Sequence, residues 1–460
     1  MDFQTGMTNL NEANPDGMDP SRLTPPEGST DLHIGEPVAA DLSMDPSEYD
    51  FSHFYFATGT DAFNMLDPFD AWYQKALVED CYYLYNQPMR TAPRSHVTVV
   101  EALHHKEIKD LLNFASYNYL GMSYRPEVIR AAQEALEKYG LGASGSPILS
   151  GTLDLHEEFA TKLAQFKRKE AVLLFPTGYS ANLGVIAGLM RPGDMVFADQ
   201  FAHASIVDGI ILSKAKPRFF RHNDANDLEK KLKAFDGRKL VVVEGVYSMD
   251  GDLANLVEIV EACKRQNARI MIDEAHSTFL FGENGRGLAE QMGVEDEIDI
   301  HFGTFSKSLG GIGGFVAGST KLINYLHAFA RSQFFSCALP PAVMAGLIKG
   351  LEIAIAEPEL RTKLWTNVDF MQERLRSAGV DIGNSQSQVI PVMIRDDKKV
   401  FPIVEEMLHA GVYLHPIRYP AVGKHRSRLR ISISAAHSRN DLEEGARIIQ
   451  QVLSRNGLCK

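Results

Sequence analysis

Between residues 171 and 318 the chain alternates short apolar runs with stretches of helical periodicity. "AVLLF" (171–175) leads into "GYSANLGVIAGLM", "DMVFAD" (194–199) into "HASIVDGIILSKA", "PRFFRH" into "DANDLEKKLKAF", and "KLVVVEGVYS" into "LANLVEIVEACKRQN". "ARIMIDEAH", "IDIHFGTFSK" and "GGFVAGS" follow. Short β-rich runs separated by helical segments predict an α/β fold, with seven strands in a large, mostly parallel sheet covered by helices on both faces. Beyond Pro340-Pro341 a long helical stretch, then "QVIPVMI", "VYLHPIRY" and "RLRISIS", predict a smaller C-terminal α+β domain. Upstream, "FDAWYQKALVEDCYYLYNQP" predicts an amphipathic helix from Asp67 to Tyr85 packed onto the body. The expected divisions are a leader at 1–50, a helical and extended segment at 51–110, the large domain at 111–338 and the small one at 339–460.

Charge sharpens this division. Of a net charge of −12, residues 1–50 hold eleven Asp/Glu against one basic residue, Arg22, leaving the rest nearly neutral. With six prolines and no sustained periodicity, that segment is expected to be a disordered acidic leader. No basic stripe points to nucleic acid. No apolar stretch is long enough to span a membrane. The first residues, "MDFQTGMTNLNEANPDG", have neither the basic nor the apolar region of a secretory signal, so cytoplasm is the expected location. Cys81, Cys263, Cys337 and Cys459 form no metal-binding spacing and are expected to be reduced thiols.

The candidate chemistry begins at "IDEAHS" (272–277), which contains the Asp-Glu-Ala-His magnesium motif of one helicase class. That reading needs a phosphate loop, and no G-x-x-x-x-G-K-[ST] occurs: Gly423-Lys424 is followed by His425. The alternative starts from Lys307 in "GTFSKSLGG", just beyond a strand and flanked by Thr304, Ser306 and glycines. A lysine held there can form a Schiff base with an aldehyde. If that aldehyde is pyridoxal phosphate, three further features are needed. Thr177-Gly178-Tyr179, opening a helix, offer free N–H groups and a dipole to the phosphate. Asp273, closing a strand, faces the pyridine nitrogen, and a carboxylate ~4 Å from a pyridinium gains roughly 4 kcal/mol at an effective dielectric of 20. His203, in "DQFAHAS", can stack on the ring, and His276 can reach the phenolic oxygen or the substrate. All come from the carboxyl ends of successive strands, where open parallel sheets bind ligands.

With these residues in place, the sequence resembles the α-oxoamine synthases, a branch of the fold-type-I pyridoxal-phosphate enzymes, and within them the serine palmitoyltransferase subgroup. The resemblance runs from about Leu112 to Leu453. It rests on "NFASYNYLG" (113–121), "FPTGYSANLG" (175–184), "HAS" (203–205), "RFFRHND" (218–224), "EGVYSMDGD" (244–252), "IDEAHS", "GENGRG" (282–287), "GTFSKSLGGIGG" (303–314) and "LRISISAAH" (429–437). It implies that Lys307 carries the cofactor and shuttles the proton, that Asp273 pairs with the pyridinium and that His203 stacks. It implies that His276 and Ser248 contact the phenolic side, and that Gly178, Tyr179, Thr304 and Ser306 hold the phosphate. Arg430 matches an arginine that binds the substrate carboxylate, and Arg418 a second one. Tyr117 and Asn118 fall where the family lines the substrate site. Ser336 is expected to reach the phosphate of a neighbouring subunit, in a homodimer with shared sites. Two places depart from the family: "RYPAVGKHR" stands for a Pro-Pro-Ala-Thr-Pro loop after Arg418, and Pro147 for a bulkier or basic residue.

The activity so implied is a decarboxylative condensation of a small L-amino acid with an acyl thioester of coenzyme A or a carrier protein, giving an α-amino ketone. Serine is the first expectation, with alanine and glycine open. Transamination, and a catalytically silent partner subunit of the same fold, are the competing classes.

Overall fold

The computed structural model describes residue 49, residues 51–54 and residues 60–459. The expected acidic leader, Tyr49 apart, lies outside the described residues.

Thirteen strands are described. An antiparallel pair, β1 (His96–Glu101) and β2 (Lys106–Asn113), comes first. The central sheet follows: β3 (Ala171–Phe175), β4 (Met195–Asp199), β5 (Lys216–Phe220), β6 (Lys239–Glu244), β7 (Arg269–Asp273), β8 (Ile300–Thr304) and β9 (Gly314–Gly318). Its order is β3-β9-β8-β7-β6-β4-β5, and β9 alone runs against the others. The fold is thus the α/β class with a seven-stranded, mostly parallel sheet read from the sequence. Side chains alternate across it, as the two-residue period requires. Leu240 and Val242 of β6 join the core under the helices Gly178–Leu189 and Ala204–Ser213. Val241 and Val243 join the opposite core, with the helix Leu256–Arg265. Both faces are buried, which is why these strands read as unbroken apolar runs.

The C-terminal strands are β10 (Val389–Met393), β11 (Val412–Tyr413), β12 (His415–Ile417) and β13 (Arg428–Ser432). The expected single strand "VYLHPIRY" is two: β11 pairs with β2, and β12 pairs with β13. Residues 96–113 therefore share a sheet with the C-terminal part of the chain.

The expected helix Asp67–Tyr85 is shorter, Leu66–Glu79, followed by a separate 3₁₀ turn, Tyr82–Tyr85. Cys81 between them takes a left-handed φ of 53°, which breaks the helical path. Trp72 and Ala76 are the buried face of the helix, and Tyr82 and Tyr85 pack on Phe401. All four cysteines are free, and Cys263 is buried on its helix. Among the described residues, no group of His, Cys, Asp and Glu could hold a metal ion, and no helix is long and apolar enough to cross a membrane.

Candidate active site

Neighbouring parallel strands end on polar residues at one sheet edge: β6 on Glu244, β7 on Asp273, β8 on Thr304. Beyond that edge opens a cleft of about 400 Å³. Gly178, Tyr179, His203, Ser248, Asp273, His276, Thr304, Ser306 and Lys307 line it, and Tyr117 and Arg430 reach it from the N- and C-terminal parts of the chain.

Asp273 is almost fully buried and held at both oxygens. The Ala275 N–H donates to Oδ1 at 2.9 Å, and the Asn182 side-chain amide donates to Oδ2 at 2.9 Å. Burial pushes its pKa above the usual carboxylate range, while those two donors and the charge on Lys307 oppose the rise. The next residue, Glu274, serves a different purpose: it is sealed from water against Lys167, at 2.6 Å. The two acids of "IDEAHS" are thus divided between cleft and core.

Lys307 is packed closely enough that burial lowers its pKa, with Asp273 and Glu244 pulling it back up. Burial thus disfavours the charged form of this amine. Glu244 is itself buried, and desolvation followed by the neighbouring Asp273 charge drives its carboxyl well above the ordinary range.

The helix Gly178–Leu189 opens at the cleft. Thr177 caps it by accepting the Ser180 N–H at 2.9 Å, which leaves the earliest N–H groups of the first turn for an anion. A Cβ on Gly178 would meet Thr304 Oγ1 at 3.0 Å and Thr304 Cβ at 3.1 Å, so the backbone approaches β8 only because the residue is glycine. Thr304 Oγ1 donates to the Gly313 carbonyl at 2.8 Å and lies 3.0 Å from Ser306 Oγ. The Tyr179 hydroxyl donates to Asp208, which pushes its pKa up to about 12.

His276 is fully enclosed, so its pKa falls well below that of a free imidazole. Its Nδ1 lies 2.8 Å from the Tyr119 hydroxyl. Arg430, on β13, stacks on the Tyr117 ring at 4.8 Å from ring centre to guanidinium carbon and donates to the Tyr117 hydroxyl. It is the cleft's fixed positive charge.

Three expected site residues do not line this cleft. The Asn118 side chain donates to Ser123 Oγ at 2.9 Å and to the Pro93 carbonyl at 3.3 Å. Arg418 lies over the rings of Phe401 and Tyr82, at 4.6 and 5.7 Å. Ser336 is half-buried beside the exposed Phe335. Conversely, Asn182, Ser205 and Glu244 line the cleft and were not among the expected residues, although each lies inside a motif quoted for the resemblance.

The donor set has a definite chemistry: a buried carboxylate, a half-buried amine, and a helix N-terminus beside two hydroxyls. It suits a small ligand bearing a basic ring nitrogen, an aldehyde and a phosphate.

Known proteins share this fold. The family model for aminotransferase class I and II matches residues 109–449. A serine palmitoyltransferase of Sphingobacterium spiritivorum is 40% identical over 375 residues, covering 81% of this chain and 92% of the relative. An 8-amino-7-oxononanoate synthase of Thermoanaerobacter pseudethanolicus is 40% identical over 347 residues, covering 75% and 88%. The solved serine palmitoyltransferase of Sphingomonas wittichii superposes with a TM-score of 0.83 at 34% identity, over 87% of this chain and 100% of that one. The chain belongs to the aminotransferase class I and II family and, within it, to the α-oxoamine synthases.

Proposed function

We propose that this pyridoxal-phosphate-dependent acyltransferase joins a small L-amino acid, serine foremost, to the acyl group of a long-chain thioester, with loss of carbon dioxide. A solved structure of a serine palmitoyltransferase with its PLP internal aldimine (34% identical, TM-score 0.82, over 87% of this chain and 100% of that one) supports the cofactor. The observation that carries the reading is the convergence of Lys307, Asp273, His203 and Arg430 on one cleft.

When bound, pyridoxal phosphate supplies an electron sink for a carbanion at the amino acid's α-carbon. The protein does the rest. Gly178, Tyr179, Thr304 and Ser306 hold the phosphate, Asp273 keeps the ring nitrogen protonated, and His203 covers the ring. Ser248 and His276 face its phenolic side. Arg430 would pair with the substrate carboxylate and so orient the amino acid in the cleft. Lys307 takes the α-proton. The α-carbon then bonds to the acyl carbonyl carbon, and the C–S bond breaks to release the thiolate. The bond to the carboxylate breaks next, carbon dioxide leaves, and Lys307 returns a proton to the same carbon, giving the α-amino ketone.

A second reading, favoured by the 8-amino-7-oxononanoate synthase relative, replaces serine with alanine or glycine and the long acyl chain with another acyl thioester, from coenzyme A or a carrier protein. Transamination stays as the remote alternative. A homodimer with shared sites is part of the proposal, supported by the exposed apolar residues Leu141, Leu149, Ile211 and Phe335. There Ser336 would reach the partner's phosphate. A cytoplasmic location completes it.

The test is a panel of serine, alanine and glycine against acyl-coenzyme A and acyl-carrier donors, with mass detection of ketones. Ketone formed from serine and a long-chain donor supports the first reading. Ketone formed only from alanine or glycine moves the assignment to the second. Exchange of the amino acid's α-proton with no ketone from any donor opposes both.

A further inference from the structure

Asp273 closes β7 and His203 follows β4, yet two buried side chains join them. Asn182, in the second turn of Gly178–Leu189, donates from its amide nitrogen to Asp273 Oδ2 and to Ser205 Oγ, both at 2.9 Å. Ser205 Oγ lies 2.8 Å from His203 Nδ1, and the Ser205 backbone N–H donates to the same nitrogen at 3.2 Å. A backbone N–H can only donate, so Nδ1 accepts and the proton of the neutral ring sits on Nε2. Because Nδ1 carries no proton, the Ser205 hydroxyl, which accepts from Asn182, donates to His203. The sense of every bond is fixed from Asp273 through Asn182 and Ser205 to His203. At the other end of the loop the His203 backbone N–H donates to Glu244 Oε1 at 2.6 Å.

We propose that Asn182 and Ser205 are positioning residues of this site: together they hold the Asp273 carboxylate ionised and aimed, and lock the His203 ring in one plane and one tautomer. The proposal rests on the reading of the cleft as a pyridoxal-phosphate site. Neither residue takes part in bond making; each acts through its neighbour. The residue types follow from the geometry. Asn182 needs two donors, which aspartate lacks, and a second carboxylate there would repel Asp273. Ser205 needs a hydroxyl that can accept and donate at once. Both side chains are about 99% sealed from water, so no solvent molecule substitutes for a lost partner.

The test compares the full-length protein with Asn182→Leu, Asn182→Asp and Ser205→Ala. Affinity for added pyridoxal phosphate is measured by dialysis, and ring orientation by the visible circular dichroism per bound cofactor. Loss of a hydrogen bond to a charged group is worth about tenfold in equilibrium terms. Asn182→Leu is expected to weaken cofactor binding by that factor, and Asn182→Asp by at least as much. Ser205→Ala is expected to bind within threefold of the parent but with an altered visible dichroic band, which a merely structural role would leave alone. If the Asn182 variants do not fold, Ser205→Ala, which deletes one hydroxyl, decides alone. A parent that binds the cofactor while Ser205→Ala keeps its dichroism overturns the proposal and leaves the cofactor reading intact. A parent that binds none overturns the cofactor reading, and this proposal with it.

Discussion

Lys167 Nζ lies 2.6 Å from Glu274 Oε2, and both side chains are sealed from water. The Glu274 carboxylate also accepts the Ala289 N–H at 3.1 Å and lies 3.3 Å from His301 Nδ1. Despite its burial, the Lys167 charge and the His301 contact bring its pKa down to about 2. Glu274→Gln leaves the Lys167 ammonium buried without its counter-charge, with the Arg286 carbonyl still accepting from it, and is expected to cost about 3–5 kcal/mol in a urea unfolding experiment. Because the folded pKa is depressed, the contribution is full above the unfolded value of 4.5 and is lost as pH falls toward 2. Glu274→Gln should therefore flatten the acid limb of the parent's stability profile.

His222 gives the opposite dependence. Its Nδ1 meets Asp199 at 2.9 Å and its Nε2 meets Asp252 at 2.7 Å, and these carboxylates outweigh burial and raise its pKa to about 10. A raised folded pKa stabilises fully below the unfolded value of 6.5, and the contribution fades as pH rises through the folded value. Thermal melts between pH 6 and 10.5 should show a loss of stability that His222→Gln, already weakened at pH 6, does not share.

The two arginines should separate kinetically. Arg430→Lys keeps the charge but loses the planar fork, and is expected to raise KM for the amino acid about tenfold or more. Arg418→Ala is expected to leave that KM within threefold, and to lower stability by roughly 0.5–2 kcal/mol through loss of its contacts with Phe401 and Tyr82. Steady-state kinetics alongside urea midpoints distinguish the two.

Gly178→Ala places a methyl 3.0 Å from Thr304 Oγ1 and 3.1 Å from its Cβ. Either the helix start or the strand end must shift by a few tenths of an ångström, which misaligns the anion site. Cofactor affinity is expected to fall about tenfold, as for one strong contact to a phosphate lost. Equilibrium dialysis against pyridoxal phosphate measures it.

The central sheet was legible because strands buried on both faces leave unbroken apolar runs such as "KLVVVEG" and "ARIMID". Asp273 and Lys307 stood out because strand ends and glycine-flanked loops mark a sheet edge. The network joining Asp273 to His203 was not legible. Asn182 reaches Asp273 across 91 residues, and nothing in a helical "GYSANLG" tells which polar side chain turns inward. The division of Asp273 and Glu274 between cleft and core was hidden for the same reason: Lys167, the partner of Glu274, is 107 residues away. The position of Arg418 depends on Tyr82, far upstream in a segment that precedes the family match, so motif matching along the chain could not reveal it. The split of "VYLHPIRY" follows from two different partners, β2 and β13, on either side of Leu414, which no local pattern encodes.

The most direct measurement is covalent. The purified protein, loaded with pyridoxal phosphate, is reduced with borohydride, digested and sequenced by mass spectrometry. A pyridoxyl-phosphate group is expected on the peptide carrying Lys307 and on no other, and Lys307→Ala should lack it. A label on a different lysine, or none on a protein that condenses amino acids with thioesters, would contradict the account.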